Sequence, residues 1–354
     1  LSCRYLAVLV CLLLVGCGPQ VAEFGGPTMG SHYALKYVAG EHTPAQAEVQ
    51  AQVERVLAEV DQQFSTWRAD SDLSRFNALP AGSCAAMPAP VRELVIFANT
   101  LWEDSDGAFD ITVEPLMNLW GFGPQSRGQQ VPSAEQIAAA KGLVGQAYLR
   151  IDGEQLCKDI ALQLDLNSIV AGYTVDRIAA LLGTLGIDSY LLDVTGELKA
   201  AGHKPDGTPW KIAIEAPRDD VQVAEQVLAL DGWGVSTSGD YHNYFERNGQ
   251  RYSHTLDPRT GAPISHQLAE VTVLDRSTLR ADGLSTLLMV LGPERGFAFA
   301  EERGIAALFV SRTASGFSSR ATAAFSRQFA KAHTPLAGTR DVVHSTLAYV
   351  ATNR

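Results

Sequence analysis

Asp282, Ser285 and Thr286, in the segment RADGLSTLLMVLG, place one carboxylate and two hydroxyls at positions i, i+3 and i+4. On a helix these positions share a face. Three hard oxygens on one face suit Mg2+, which takes a few protein oxygens and leaves the rest of its shell to water or substrate phosphates. The same spacing also suits a helix N-terminus with a capping carboxylate and solvated hydroxyls. His254, in RYSHTLDPRTGAPISH, precedes a turn built on Asp257-Pro258 and Thr260-Gly261. Imidazole is the usual proton carrier near neutral pH. The chain has eight histidines, so a surface or packing role is equally open to this one. Ser236-Thr237-Ser238-Gly239 either lines a phosphate site or turns the chain.

A second set of residues suits a planar ligand. Asp106–Pro124, DGAFDITVEPLMNLWGFGP, gathers Gly107, Gly121 and Gly123 with the Asp110 carboxylate and the aromatic rings of Phe109, Trp120 and Phe122. Glycine lets backbone approach a ligand, aromatic faces stack on it, and a carboxylate accepts from its polar edge. A buried turn between packed elements would use the same residues. Asp165, in QLDLNSIVAGYTVD, follows an apolar alternation and precedes a helix, a corner that exposes backbone groups to ligands. Simple turn chemistry fits it too. Met29 in PTMGSHY and Trp67 in STWRADSDLSRFN offer a thioether and an indole, which sandwich rings or fill cores.

These residues need a scaffold. The 354 residues are 46% hydrophobic, enough for one large domain or two intimate ones. Thr43-Pro44 predicts a helix start, followed by Val49, Val53, Val56, Leu57 and Val60 at helical spacing. Val91–Trp102 reads as a helix, and Ser133 with Gln136 forms a capping box before Ile137–Lys141. Val175, Ile178, Ala179 and Leu182 form a helical stripe closed by Gly183, and Leu279–Leu291 is helical. Tyr190–Ala200, Trp210–Glu215, Val227–Leu230, Arg251–Leu256, Leu268–Leu274 and Ile305–Val310 read as strands. Strands clustered in the second half with hairpin spacing predict an α+β fold with a largely antiparallel sheet and flanking helices. The stretch after Ala314 is poorly patterned.

A net charge of −11 and the lack of any Lys/Arg run argue against nucleic acid as a partner. The acidity also opposes a diphosphate ligand unless a cation intervenes. The pattern at the start, LSCRYLAVLVCLLLVGCGPQ, has a positive residue, a short apolar run and a lipobox ending at Cys17. It leads us to expect a lipoprotein signal over 1–16, lipidation of Cys17, a tether over 17–27, a domain over 28–330 and a tail over 331–354; an ordinary signal peptide or a signal anchor would share the charged start and apolar run. The expected location is the bacterial cell envelope, lipid-anchored on the periplasmic side. Cys84 and Cys157 remain in the body of the chain and could pair there. No GxGxxG, Walker A, GxSxG or HExxH pattern occurs, and a Rossmann dehydrogenase, a P-loop NTPase and an α/β-hydrolase are each disfavoured.

Taken in order, the segments PTMGSHY, STWRADSDLSRFN, GAFDITVEPLMNLWGFGP, LDLNSIVAGYTVD, GELKAAG, TPWKIAIEAP, STSGDYHNYFE, YSHTLDPRTGAPISH and ADGLSTLLMVLG resemble the ApbE family, the FAD:protein FMN transferases. The resemblance spans roughly residues 23–330. It implies an α+β flavin transferase that uses Mg2+ to move FMN from FAD to a Thr or Ser hydroxyl of an exported or membrane redox protein, releasing AMP. It also implies FAD contacts at Met29, Trp67, Ala108, Phe109, Asp110, Asp165, Ala171 and Leu256. Metal contacts would come from the Ser168 backbone oxygen, Asp282, Ser285 and Thr286, with His254 as the candidate base. Four positions depart from the family pattern: Glu114 and Thr195 where Gly is frequent, Ala171 where Lys or Glu is common, and Ser285 where some members have Asp. Two other functions would use the same site, FAD hydrolysis to FMN and AMP or non-catalytic FAD binding.

Overall fold

The computed structural model describes residues 20–217, 224–241, 243–329 and 348–350. Cys17 and residues 1–19 lie outside the described residues, as does most of the expected tail. The centre is an eight-stranded sheet whose strands we number along the chain. They are β1 (Gln20–Thr28), β2 (Ser31–Ala39), β3 (Tyr190–Val194), β4 (Glu197–Ala201), β5 (Trp233–Gly239), β6 (Leu268–Asp275), β7 (Ala306–Thr313) and β8 (Gly316–Ala321). Spatial order follows chain order, and every neighbouring pair is antiparallel. This is the α+β architecture with flanking helices that the strand spacing predicts.

Side-chain alternation along the strands separates two faces. On β7, Ala307 and Phe309 join one core while Ala306, Leu308 and Val310 join another. The first face carries α1 (Gln46–Phe64), α2 (Asp72–Asn77), α3 (Ala89–Asp104), α6 (Asn167–Thr184) and α7 (Thr278–Glu302), while α4 (Glu114–Trp120) and α5 (Ala134–Lys141) pack with Phe245 and Leu256 in a separate cluster. Val49, Val53 and Leu57 of α1 pack with Val175, Ile178 and Leu182 of α6 on Tyr190, Leu192 and Val194 of β3. The second face is covered by a small sheet that includes Trp210–Glu215 and Ala224–Leu230, and by α8 (Ala323–Phe329).

Several local expectations change. Residues 20–27, expected within a tether, form β1, because the apolar residues Ala22 and Phe24 pack on the α1–α6 core. Thr43 does not cap α1; its Oγ1 accepts from Gly40 N instead, and the helix starts at Gln46. Gly183 lies inside α6 rather than ending it. The expected strand 190–200 is the β3–β4 hairpin, broken by Thr195 and Gly196, whose φ values are 57° and 108°. The expected strand 251–256 is likewise two short pieces, Gln250–Ser253 and Leu256–Asp257. The helix at 279–291 runs on to Glu302 through a kink at Gly292 and Pro293, where Pro removes a ladder bond. The stretch after Ala314 holds β8 and α8. Ser133 and Gln136 do form the expected capping box, and Cys84 and Cys157 are bonded as facing partners of adjacent strands.

Candidate active site

A cavity of about 730 Å³ opens between the helical layer and the turns at one end of β1–β4. Met29, Trp67, Ala108, Phe109, Asp110, Asp165, Ser168, Ala171, His254, Leu256, Asp282 and Thr286 all line it. Segments more than two hundred residues apart in sequence thus converge on one space. Ser285 departs from the group. Its side chain is buried, and its hydroxyl is 3.1 Å from Ser236 Oγ, 2.9 Å from Ser238 Oγ and 2.9 Å from the Asp282 carbonyl. The helical spacing is correct, but the 285 position turns toward β5, so its oxygen serves the helix–sheet contact.

The floor is built where α6 meets α7. Gly172 lets the two helices approach: a Cβ there would lie 2.5 Å from the Thr278 carbonyl and 2.7 Å from Asp282 Cβ. Its N–H donates to Asp282 Oδ2 at 2.8 Å. In an α-helix that N–H points to the carbonyl four residues back, Ser168. The carboxylate therefore competes for this donor and leaves the Ser168 oxygen with acceptor capacity beside the cavity. Thr286 Oγ1, 3.4 Å from Ser238 Oγ, adds a hydroxyl. Asp176 fixes the α7 end of this floor, accepting from Thr278 N, Leu279 N, Ser277 Oγ and Lys199 Nζ.

Glu197, in the GELKAAG segment, also lines the cavity, although the sequence gives it no role there. Burial pushes the carboxyls of both Glu197 and Asp282 upward, and the Asp282 charge pushes Glu197 further. Glu197 accepts from Thr195 Oγ1 at 3.1 Å. Thr195 and Met29 both hold positive φ, at 57° and 48°, in the turns of adjacent hairpins. Such backbone is costly for a β-branched residue and concentrates at functional sites.

The opposite wall comes from 108–124 and the segment before α6. Asp110 Oδ1 accepts from the Thr112 N–H and hydroxyl at 2.8 and 2.6 Å, and Oδ2 accepts from Gln146 N at 3.2 Å. Burial raises its pKa. Asp165 Oδ1 accepts from Asn167 N at 2.7 Å, which turns the chain into α6. At the mouth, Trp67 is 71% exposed on the loop between α1 and α2. That loop is held by Arg68, which bridges Asp61 at 2.8 Å and Asp70 at 3.0 Å. His254 Nδ1 lies 3.0 Å from the Asn243 carbonyl. A carbonyl only accepts, so Nδ1 carries the proton, and in the neutral ring the basic lone pair is on Nε2.

The sequence that builds this cavity matches a known family: the family model described as ApbE family covers residues 29–309. The chain belongs to the ApbE family. An FAD:protein FMN transferase of Vibrio cholerae is 42% identical over 317 residues, covering 89% of this chain and 95% of that protein. Among solved structures, the apo form of the Pseudomonas stutzeri flavinyl transferase ApbE superposes with a TM-score of 0.84 at 62% identity, covering 88% of this chain and 98% of that one. The flavin transferase ApbE from Vibrio cholerae superposes with a TM-score of 0.82 at 40% identity, with 88% and 99% covered. The ApbE match includes every cavity segment from Met29 to Thr286.

Proposed function

We propose that the cavity binds FAD together with Mg2+ and passes FMN to a Ser or Thr hydroxyl of an exported or membrane redox protein, releasing AMP. The coarser activity follows from family membership: the chain is an FAD:protein FMN transferase. The observation that carries the finer reading is the charge of the lining. Among the described residues, Asp61, Asp110, Asp165, Glu197 and Asp282 face Arg68 as the sole Lys or Arg, and that guanidinium is already paired. Such a wall offers a diphosphate no unpaired positive group, so a cation must stand between them.

The donors present fit Mg2+. Asp282, the Ser168 carbonyl and the Thr286 hydroxyl are hard oxygens at one end of the cavity, with Glu197 also in its lining. Among the described residues no three His, Cys, Asp or Glu side chains cluster as ligands. A cation here would thus rely on hydroxyl, carbonyl and substrate oxygens, the mixed set that Mg2+ takes. When bound, Mg2+ supplies charge neutralisation for the diphosphate and the departing AMP. The protein's own residues do the rest. Met29, Trp67 and Leu256 offer apolar contact to the rings, and Asp110 and Asp165 offer acceptors to their polar edges. His254 Nε2 takes the acceptor hydroxyl's proton as that oxygen bonds to the FMN phosphorus and the bond to AMP breaks.

Single-turnover AMP release tests these roles. Asp282→Asn and His254→Gln should each slow release about 100-fold or more with an unchanged circular dichroism spectrum. Full activity in Asp282→Asn would refute the metal assignment, and full activity in His254→Gln would refute the base. The lipid anchor at Cys17 belongs to the same reading and rests on the lipobox pattern alone.

A further inference from the structure

Glu114 lies behind the cavity wall, outside the lining, and the family pattern gives it no role. It is the first residue of α4 and is 2% exposed. Its Oε1 accepts from Asn118 Nδ2 at 3.2 Å, while Oε2 is buried with no hydrogen-bond donor. The side chain it meets is Asp165, whose carboxyl lines the cavity. A parallel bridge between Val113 and Gln163, together with the Asp165 N–H to Ile111 carbonyl bond at 2.8 Å, lays the two segments side by side and fixes this contact. Two buried acceptor-only groups in contact are unfavourable unless a proton lies between them.

We propose that Glu114 is a positioning residue for FAD: it shares one proton with Asp165, and this holds the Asp165 carboxyl in the orientation that accepts an N–H from the edge of a ligand ring. The inference rests on the FAD reading above. Glu114 acts through Asp165 and does not touch the ligand. Burial, then the Asp165 charge, raises the Glu114 pKa to about 8, so the pair keeps its proton through neutral pH. The other charged groups around α4 are engaged elsewhere. Lys141 donates to the Arg259 carbonyl, Arg259 pairs with Asp257, Arg251 pairs with Glu246, and Asp110 is held by Thr112 and Gln146.

The test is FAD affinity by flavin fluorescence quenching, with Mg2+ present and no acceptor, from pH 6 to pH 9. The wild-type dissociation constant should stay flat to neutrality and rise about tenfold by pH 9, the limit for loss of one proton above its pKa. Glu114→Gln supplies a permanent N–H to Asp165 and should bind like wild type at pH 7 with less than a twofold rise at pH 9. Glu114→Ala should bind more weakly at every pH, again without the break. Parallel thermal melts identify the pH range in which each variant is folded, and the Gln variant alone suffices if the Ala variant does not fold. Repeating the titration with ADP and with FMN assigns the ring, since only the ligand bearing the edge that Asp165 reads should show the break. A Gln variant with the wild-type pH profile, or a wild type without a break, would overturn the inference while leaving the FAD reading intact. A wild type that binds no FAD at any pH would overturn both.

Discussion

The backbone N–H of Gly172 on α6 donates to the Asp282 carboxylate on α7 at 2.8 Å. One contact thereby sets the spacing of two helices, orients the carboxylate and draws a donor away from the Ser168 carbonyl. It is possible only because residue 172 has no side chain: any Cβ would strike the Thr278 carbonyl and Asp282 Cβ. Gly172→Ala should therefore lower stability by about 1–3 kcal/mol, the usual cost of overpacking. It should lower AMP release by much more than the stability loss explains, because Asp282 is displaced. Thermal melts and AMP release on the same sample check both.

Ser285 and Thr286 separate by experiment. The Ser285 hydroxyl is committed to Ser236, Ser238 and the Asp282 carbonyl, whereas Thr286 lines the cavity. Ser285→Ala should cost about 1 kcal/mol of stability through its lost hydrogen bonds and leave the Mg2+ concentration for half-maximal activity within about twofold. Thr286→Val should shift that concentration upward by about tenfold, the scale of one lost oxygen contact at roughly 1.4 kcal/mol. Equal Mg2+ shifts in the two variants would contradict this division.

The cap on α7 is pH-sensitive. Burial alone would raise the Asp176 pKa, but the Lys199 ammonium, the Thr278 N–H and the Ser277 hydroxyl outweigh it and hold the carboxyl below its usual range. Its contribution is complete above the unfolded-state value of about 3.9 and is lost as pH falls through the lower folded-state value. Asp176→Asn should cost about 1–3 kcal/mol at pH 7. The gap in melting temperature between the two proteins should narrow as pH falls from 5 to 3. A gap that stays constant over that range would show that the charge of Asp176 contributes nothing.

Much of this was legible in the sequence, and the failures have specific causes. Strand alternation and hairpin spacing gave the sheet, and the ordered motifs named the cavity walls. The β3–β4 turn was missed because Thr195 is β-branched and holds a φ that such residues rarely adopt. Strand β1 was missed because Gly25, Gly26 and Pro27 read as linker, although Phe24 anchors the segment in the core. Helical spacing puts Ser285 on the face of Asp282 and Thr286 without fixing which neighbour its hydroxyl meets, and the fold sets it against Ser236 and Ser238. Glu114 and Glu197 could not be ranked, since isolated acids carry no periodic signal and only the fold brings them against Asp165 and Asp282.

The Cys84–Cys157 bond closes a segment with a sequence separation of 73 and ties the small sheet beside α3. Reduction should lower stability by about 2–4 kcal/mol through the gain in unfolded-chain entropy. Chemical denaturation with and without reductant measures it. An unchanged midpoint would show that the bond does not constrain the unfolded chain.

In the proposed function, this acidic cavity splits FAD with a divalent cation and hands FMN to a protein hydroxyl. The most direct test is intact-mass spectrometry of an exported redox subunit bearing the acceptor Ser or Thr, incubated with the protein, FAD and Mg2+. One FMN should be added per acceptor with one AMP released, and neither should occur in EDTA, with Asp282→Asn, or with the acceptor hydroxyl removed. Free FMN and AMP beside an unlabelled acceptor, or labelling undiminished in EDTA, would contradict it.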